Sequence, residues 1–63
     1  MSTYKITMRC PMKKIDLNDS GLSNSEALIH IKAYIKKNPA PHYFIEDEKS
    51  GEEFEIGREE VGL

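Results

Sequence analysis

A β-β-α-β-β domain of the α+β class, one helix packed on one face of a four-stranded, mostly antiparallel sheet, is what this sequence predicts. Three observations carry the prediction. Residues 4–17 and 43–56 each alternate apolar and polar side chains on both sides of a turn signal, and the segment between them repeats its apolar residues at helical spacing.

The first hairpin begins with Tyr4-Lys5-Ile6-Thr7-Met8-Arg9-Cys10, which has the period of a half-buried strand. Pro11-Met12 supplies a tight turn, and Lys13-Lys14-Ile15-Asp16-Leu17 resumes the alternation. A two-residue turn sets Met8 opposite Ile15 and Ile6 opposite Leu17, all on one face, whereas a slip of one residue would send Ile15 and Leu17 to the other side. Asn18-Asp19-Ser20-Gly21 reads as a turn cluster closing the hairpin.

Ser23-Asn24-Ser25-Glu26 has the spacing of a capping box, with Ser23 bonding the Glu26 N–H and the Glu26 carboxylate reaching back. The helix it opens is predicted to run from residue 24 to Lys37, where Asn38-Pro39 stops it and Lys36 and Lys37 complement the dipole. Ala27, Leu28, Ile31, Tyr34 and Ile35 share one stripe, which must lie on the sheet. Lys32, Lys36, Lys37, Glu26 and His30 are expected in solvent, and Ile29 with Ala33 forms a small apolar ridge on the outer surface.

In the second hairpin, an even loop around Ser50-Gly51 places Tyr43 and Ile45 on the same face as Phe54 and Ile56. A three-residue loop would expose Tyr43 and Ile45, so the even loop, which buries more, is expected. Phe44 then lies on the far face with His42, Glu46, Glu53 and Glu55, a face shared with Lys5, Thr7, Arg9, Lys14 and Asp16 of the first hairpin. Residues 57–63 show no strong period and are expected to fray.

Sixty-three residues allow one domain, here residues 1–63, with one small core. Sixteen side chains are expected inside: Tyr4, Ile6, Met8, Cys10, Ile15, Leu17, Leu22, Ala27, Leu28, Ile31, Tyr34, Ile35, Tyr43, Ile45, Phe54 and Ile56. A core of that size is marginal, which gives self-association weight. One cysteine excludes an internal disulfide. No apolar run has the length of a signal peptide core or a membrane span, so a cytoplasmic protein with no membrane partner is expected. The charge is divided: residues 1–40 carry seven Lys/Arg against three Asp/Glu, net +4, and residues 41–63 carry two against eight, net −6.

Catalytic and metal motifs are missing from the sequence. Cys10, His30 and His42 are the residue types for a metal or a nucleophile, but no pair has ligand spacing, and no third group orients a Cys–His pair. No catalytic residue, metal or cofactor is therefore expected. Two interaction surfaces remain. Phe44, Glu46, Glu48, Glu52, Glu53 and Glu55 form an acidic hairpin suited to a basic groove on another protein, although acids on an exposed hairpin also serve simply to prevent edge aggregation. Lys5, Arg9, Lys13 and Lys14 form the alternative, a nucleic-acid face, weakened by the net charge of −2. A homodimer is also expected to be possible, with Lys5 and Arg9 of one copy meeting Glu53 and Glu55 of the other, or the same charges pairing within one chain.

In length, in its Lys/Glu-rich composition, in the capped helix start Ser23-Asn24-Ser25-Glu26-Ala27-Leu28 and in the hairpin Ile45-Glu46-Asp47-Glu48-Lys49-Ser50-Gly51-Glu52-Glu53-Phe54, the chain resembles the small orphan proteins of bacteriophages and prophages of low-GC bacteria. That resemblance implies a non-enzymatic module binding a host protein, as an inhibitor or modulator of a nucleic-acid-processing protein. It assigns no functional residue.

Overall fold

The computed structural model describes residues 2–63. In chain order it contains β1 (Tyr4–Arg9), β2 (Lys14–Leu22), α1 (Asn24–Lys37), β3 (His42–Asp47), β4 (Glu53–Ile56) and a 3-10 turn at Glu59–Val61. The four strands form one antiparallel sheet in the order β2-β1-β3-β4, with α1 across one face: an α+β fold. The two hairpins thus meet through β1 and β3 at the centre, and β2 and β4 are the edges.

Helix α1 follows from its predicted signals. Ser23 Oγ accepts the Glu26 N–H at 3.2 Å, and Glu26 Oε1 accepts the Ser23 N–H at 3.1 Å. These bonds, the backbone one first, hold the Glu26 carboxyl below its usual range. Asn38 leaves the helix in an extended conformation. Ala27, Ile31 and Ile35 are buried against Ile6, Tyr43 and Ile45, and Tyr4, Met8, Leu17, Leu22, Tyr34, Ile56 and Val61 close the rim of this core.

The second hairpin has the even loop. Tyr43 pairs with Ile56 and Ile45 with Phe54, and Asp47 N–H donates to Glu52 O at 2.8 Å, leaving a four-residue loop at 48–51. Asp47 shapes this loop by accepting the N–H groups of Lys49 and Ser50, and Gly51 takes a φ of 80° that favours glycine.

Four expectations need correction. First, Asn18-Asp19-Ser20-Gly21 does not end the hairpin: it lies inside β2, where the register slips between Ile6 and Thr7 and again between Tyr4 and Ile6. Turn-forming residues here build bulges. Asp16 Oδ1 accepts the Asn18 N–H at 2.8 Å, and Asn18 and Gly21 have φ of 61° and 68°. Met8 does pair with Ile15, but Ile6 faces Asp19 rather than Leu17. Second, Cys10 is exposed, because β1 ends at Arg9 and Cys10 belongs to the turn, its N–H donating to Lys13 O. Third, Phe54 is 46% exposed: its parity is correct, but β4 is an edge strand whose contacts are with β3 rather than with α1. Fourth, His30 is half-buried and contacts Asp19. Residues 57–63, expected to fray, carry the 3-10 turn, whose Val61 packs on the core and whose Glu60 accepts the Gly57 N–H at 2.8 Å.

Thr7 supplies a test of the packing. It lies on the face away from α1, yet it is 1% exposed, and its Oγ1 has no hydrogen-bond partner among the described residues. An unpaired buried hydroxyl costs about 1–3 kcal/mol, and valine has nearly the same shape and strand preference. Thr7→Val is therefore expected to stabilise the fold by about 1 kcal/mol, raising the melting midpoint by roughly 4–8 °C in a domain of this size. A lower midpoint in thermal circular dichroism would contradict this reading.

Candidate functional site

Three clusters outside the core bring together residues with functional potential. On the open sheet face, strand pairing sets Glu46 opposite Glu53, a like-charge pair that is unfavourable by itself. The first hairpin supplies the counter-charge. Lys14 Nζ bonds Glu46 Oε1 at 2.7 Å and lies 3.2 Å from Glu53 Oε1, the second contact falling outside hydrogen-bond geometry. Arg9 donates to Glu53 Oε2 at 2.7 Å, and Lys5 lies 3.5 Å from Glu46 and 3.8 Å from Asp16. On its way to Glu53, the Arg9 guanidinium passes over the Phe44 ring, 4.5 Å from its centroid. The hydrogen bond to Glu46, with the Glu53 carboxylate beside it, raises the Lys14 pKa, and the Lys14 ammonium 3.2 Å away lowers that of Glu53.

This cluster relocates most of the residues singled out from the sequence. Lys5, Arg9 and Lys14 of the basic face are engaged with Glu46 and Glu53 of the acidic one, and Phe44 is half-buried beneath Arg9. Lys13 stands apart in the first turn, exposed. Glu48 Oε1 accepts the Gly21 N–H at 2.6 Å, tying the second loop to the end of β2, and Glu55 meets His42 Nδ1 at 2.8 Å. Glu52 is exposed beside Phe54. The second option for the charges, pairing across strands within one chain, is the arrangement observed.

The second cluster lies between α1 and β2, and the sequence does not announce it, because Asn18-Asp19-Ser20-Gly21 has the composition of a turn. Alternation along β2 turns Asp19 toward the helix, where its Oδ2 accepts a hydrogen bond from the Tyr34 hydroxyl and lies 3.2 Å from His30 Nδ1. Tyr34 also stacks on Tyr43, with centroids 6.0 Å apart, and Tyr43 donates to Asn38 O at 2.8 Å. The bond to Asp19 pushes the Tyr34 pKa up to about 12, and the Tyr34 hydroxyl is the larger cause of the lowered Asp19 pKa. The spacing of His30 and Tyr34, one helical turn apart, was the signal available for this contact.

The third feature is the free edge of the sheet at β4. The two edges differ. β2 is nine residues long but broken by two register slips, twisted by Asn18 and Gly21, and carries the inward acid Asp19, all features that hinder pairing with another strand. β4 spans only Glu53–Ile56, a regular strand with Phe54 exposed on one face and Glu53 and Glu55 on the other. At its far end, a cleft of about 170 Å³ lies between Pro39–Pro41 and Ile56–Arg58, well below the size of a typical small-molecule site. Each histidine is matched to a carboxylate, Cys10 hydrogen-bonds neither of them, and no group of three or more metal-ligating side chains occurs among the described residues.

The first two clusters have measurable consequences. Arg9→Lys keeps the charge but loses the planar stack on Phe44 and the forked donor, and is expected to lower stability by about 0.5–1 kcal/mol in denaturant unfolding. Asp19 and Glu53, with lowered pKa values, stabilise the fold above the ordinary carboxylate range, and that contribution is lost as pH falls through their folded values. Tyr34 and Lys14, with raised values, contribute fully below about pH 10, and their share is lost as pH rises, for Tyr34 through about 12. Stability should therefore plateau between about pH 5 and pH 9 and fall on both sides. Tyr34→Phe should lower the plateau by about 1 kcal/mol and flatten its alkaline limb; an unchanged alkaline limb would remove the role given to the Asp19–Tyr34 bond.

No family model, characterised protein or solved structure matches this chain, and no helix in the described residues is long and apolar enough to cross a membrane.

Proposed function

We propose that this protein is a non-enzymatic protein-interaction module that meets its partner along the β4 edge of the acidic hairpin. The observation carrying the reading is Phe54, 46% exposed on a short, regular edge strand next to the exposed Glu52 and Glu55. An edge strand offers unpaired backbone donors and acceptors, and an extended segment of another protein can extend the sheet there. Alternation along β4 sets the chemistry of that segment: a basic side chain toward the exposed Glu55 on one face, apolar ones toward Phe54 and Ile56 on the other. A second copy of β4 is a poor fit, since antiparallel pairing centred on Phe54 brings Glu53 against Glu55 of the other copy.

Of the acidic residues identified in the sequence, Glu52 and Glu55 lie at this edge, whereas Glu46 and Glu53 maintain the internal cluster and Glu48 braces the loop. The resemblance to phage and prophage proteins supports a host protein as the partner, and a basic groove of a nucleic-acid-processing protein has the complementary charge. In that setting the module acts as an inhibitor or modulator by occupying the groove, within the cytoplasm. The alternative nucleic-acid face has less support, because three of its four bases, Lys5, Arg9 and Lys14, are held in ion pairs.

Pull-downs from nuclease-treated lysate of the native host, using the wild-type protein, Phe54→Asp and the Glu52→Lys/Glu55→Lys double variant in parallel, test the reading. A partner retained by the wild type should bind each variant at least about tenfold more weakly, as expected for loss of a central contact. A partner that binds all three equally would place the contact elsewhere, and one lost on nuclease treatment would favour the nucleic-acid reading.

A further inference from the structure

The outer face of α1 carries a pattern that neither the fold nor the β4 edge uses. Ile29 is 68% exposed, and with His30, Ala33 and Tyr34 it borders a shallow hollow of about 350 Å³. At about 100° per residue, Glu26, Ile29, Ala33 and Lys36 fall within an arc of about 80° on the side opposite Ala27, Ile31 and Ile35. Their spacing of three, four and three residues is the seam spacing of a packed helix pair. The seam is apolar at its centre, acidic at one end and basic at the other.

We propose that this face is the interface of a homodimer in which two α1 helices pack antiparallel about a two-fold axis at the level of Ile31. The charge pattern selects the second copy as occupant. In the antiparallel arrangement Ile29 of each copy faces Ala33 of the other, Glu26 faces Lys36, and Ser25 faces Lys37, so every contact across the axis is apolar, oppositely charged or neutral to charged. A parallel pair would instead set Glu26 against Glu26 and Lys36 against Lys36. The small Ala33 side chain leaves room for the Ile29 of the other copy, so each ridge enters the hollow beside it. Antiparallel helix dipoles add to the same preference. The capping role of Glu26 is compatible with the contact, since only its Oε1 holds the Ser23 N–H.

This interface differs from a charge-paired contact between open sheet faces, which the internal ion cluster leaves without free counter-charges on Arg9 and Lys14. It also leaves the β4 edge free, so a dimer presents two such edges. One helix of 14 residues, about 21 Å long, covers less than a standard stable interface, so the dimer should be weak, with a dissociation constant on the order of 100 μM.

Sedimentation equilibrium from micromolar to millimolar protein tests this directly. The wild-type mass should rise from 7.2 kDa toward twice that value with concentration. Ile29→Lys should remain monomeric throughout, and Lys36→Glu, which sets two acids against each other at both ends of the seam, should weaken the dimer by about tenfold. Both positions are exposed, and circular dichroism confirms that each variant is folded. A monomer at millimolar concentration, or a dimer whose dissociation constant is unchanged by either substitution, overturns the proposal.

Discussion

The juxtaposition of Glu46 and Glu53 on the open sheet face is the constraint around which the charges of that face are arranged. Antiparallel pairing of β3 and β4 makes it unavoidable once Tyr43, Ile45 and Ile56 are turned inward, because the same alternation turns both glutamates outward and opposite each other. The repulsion is offset only by cations reaching across from the other hairpin. Lys5, Arg9 and Lys14 do this, and each then fixes something else: Arg9 covers Phe44, Lys5 holds Asp16, and Lys14 spans the sheet from one edge to the other. A sheet with a single helix has no second layer to cover this face. Its own long side chains cover it, to the extent that Thr7 is buried there.

The two edges show how the same sheet treats a shared hazard in different ways. β2 is long and is protected by irregularity: its bulges and the inward carboxylate of Asp19 spoil it as a template, while the Tyr34 and His30 contacts make that carboxylate part of the packing between helix and sheet. β4 is protected by brevity and charge alone. The difference is why the proposed contact is placed on the β4 edge and not on β2.

Much of the fold was legible in the sequence because its signals were local and mutually consistent. The capping box at Ser23, the stop at Asn38-Pro39 and the parity of Tyr43, Ile45, Phe54 and Ile56 each required only neighbours along the chain. What was not legible depended on distance. The Asn18-Gly21 cluster has the composition of a turn, and only pairing with β1 makes it a bulged strand; from there Asp19 acquires its helix-facing role. Phe54 has the right parity for the core, but strand order decides whether the helix reaches it. For the candidate site, the charged residues were legible and their pairing with one another was not. Glu46 and Glu53 of the acids and Lys5, Arg9 and Lys14 of the bases seek one another, an outcome that composition permits but cannot distinguish from two faces awaiting partners.

The division of charge along the chain, net +4 before residue 41 and net −6 after it, has a consequence for how its two halves meet. Each hairpin carries the sign that its own duplicate would repel and its counterpart attracts. Within one chain the first hairpin is therefore drawn to the second across the β1–β3 seam. The ion cluster is thus where the two halves of the chain cancel each other's charge, Lys5, Arg9 and Lys14 against Glu46 and Glu53.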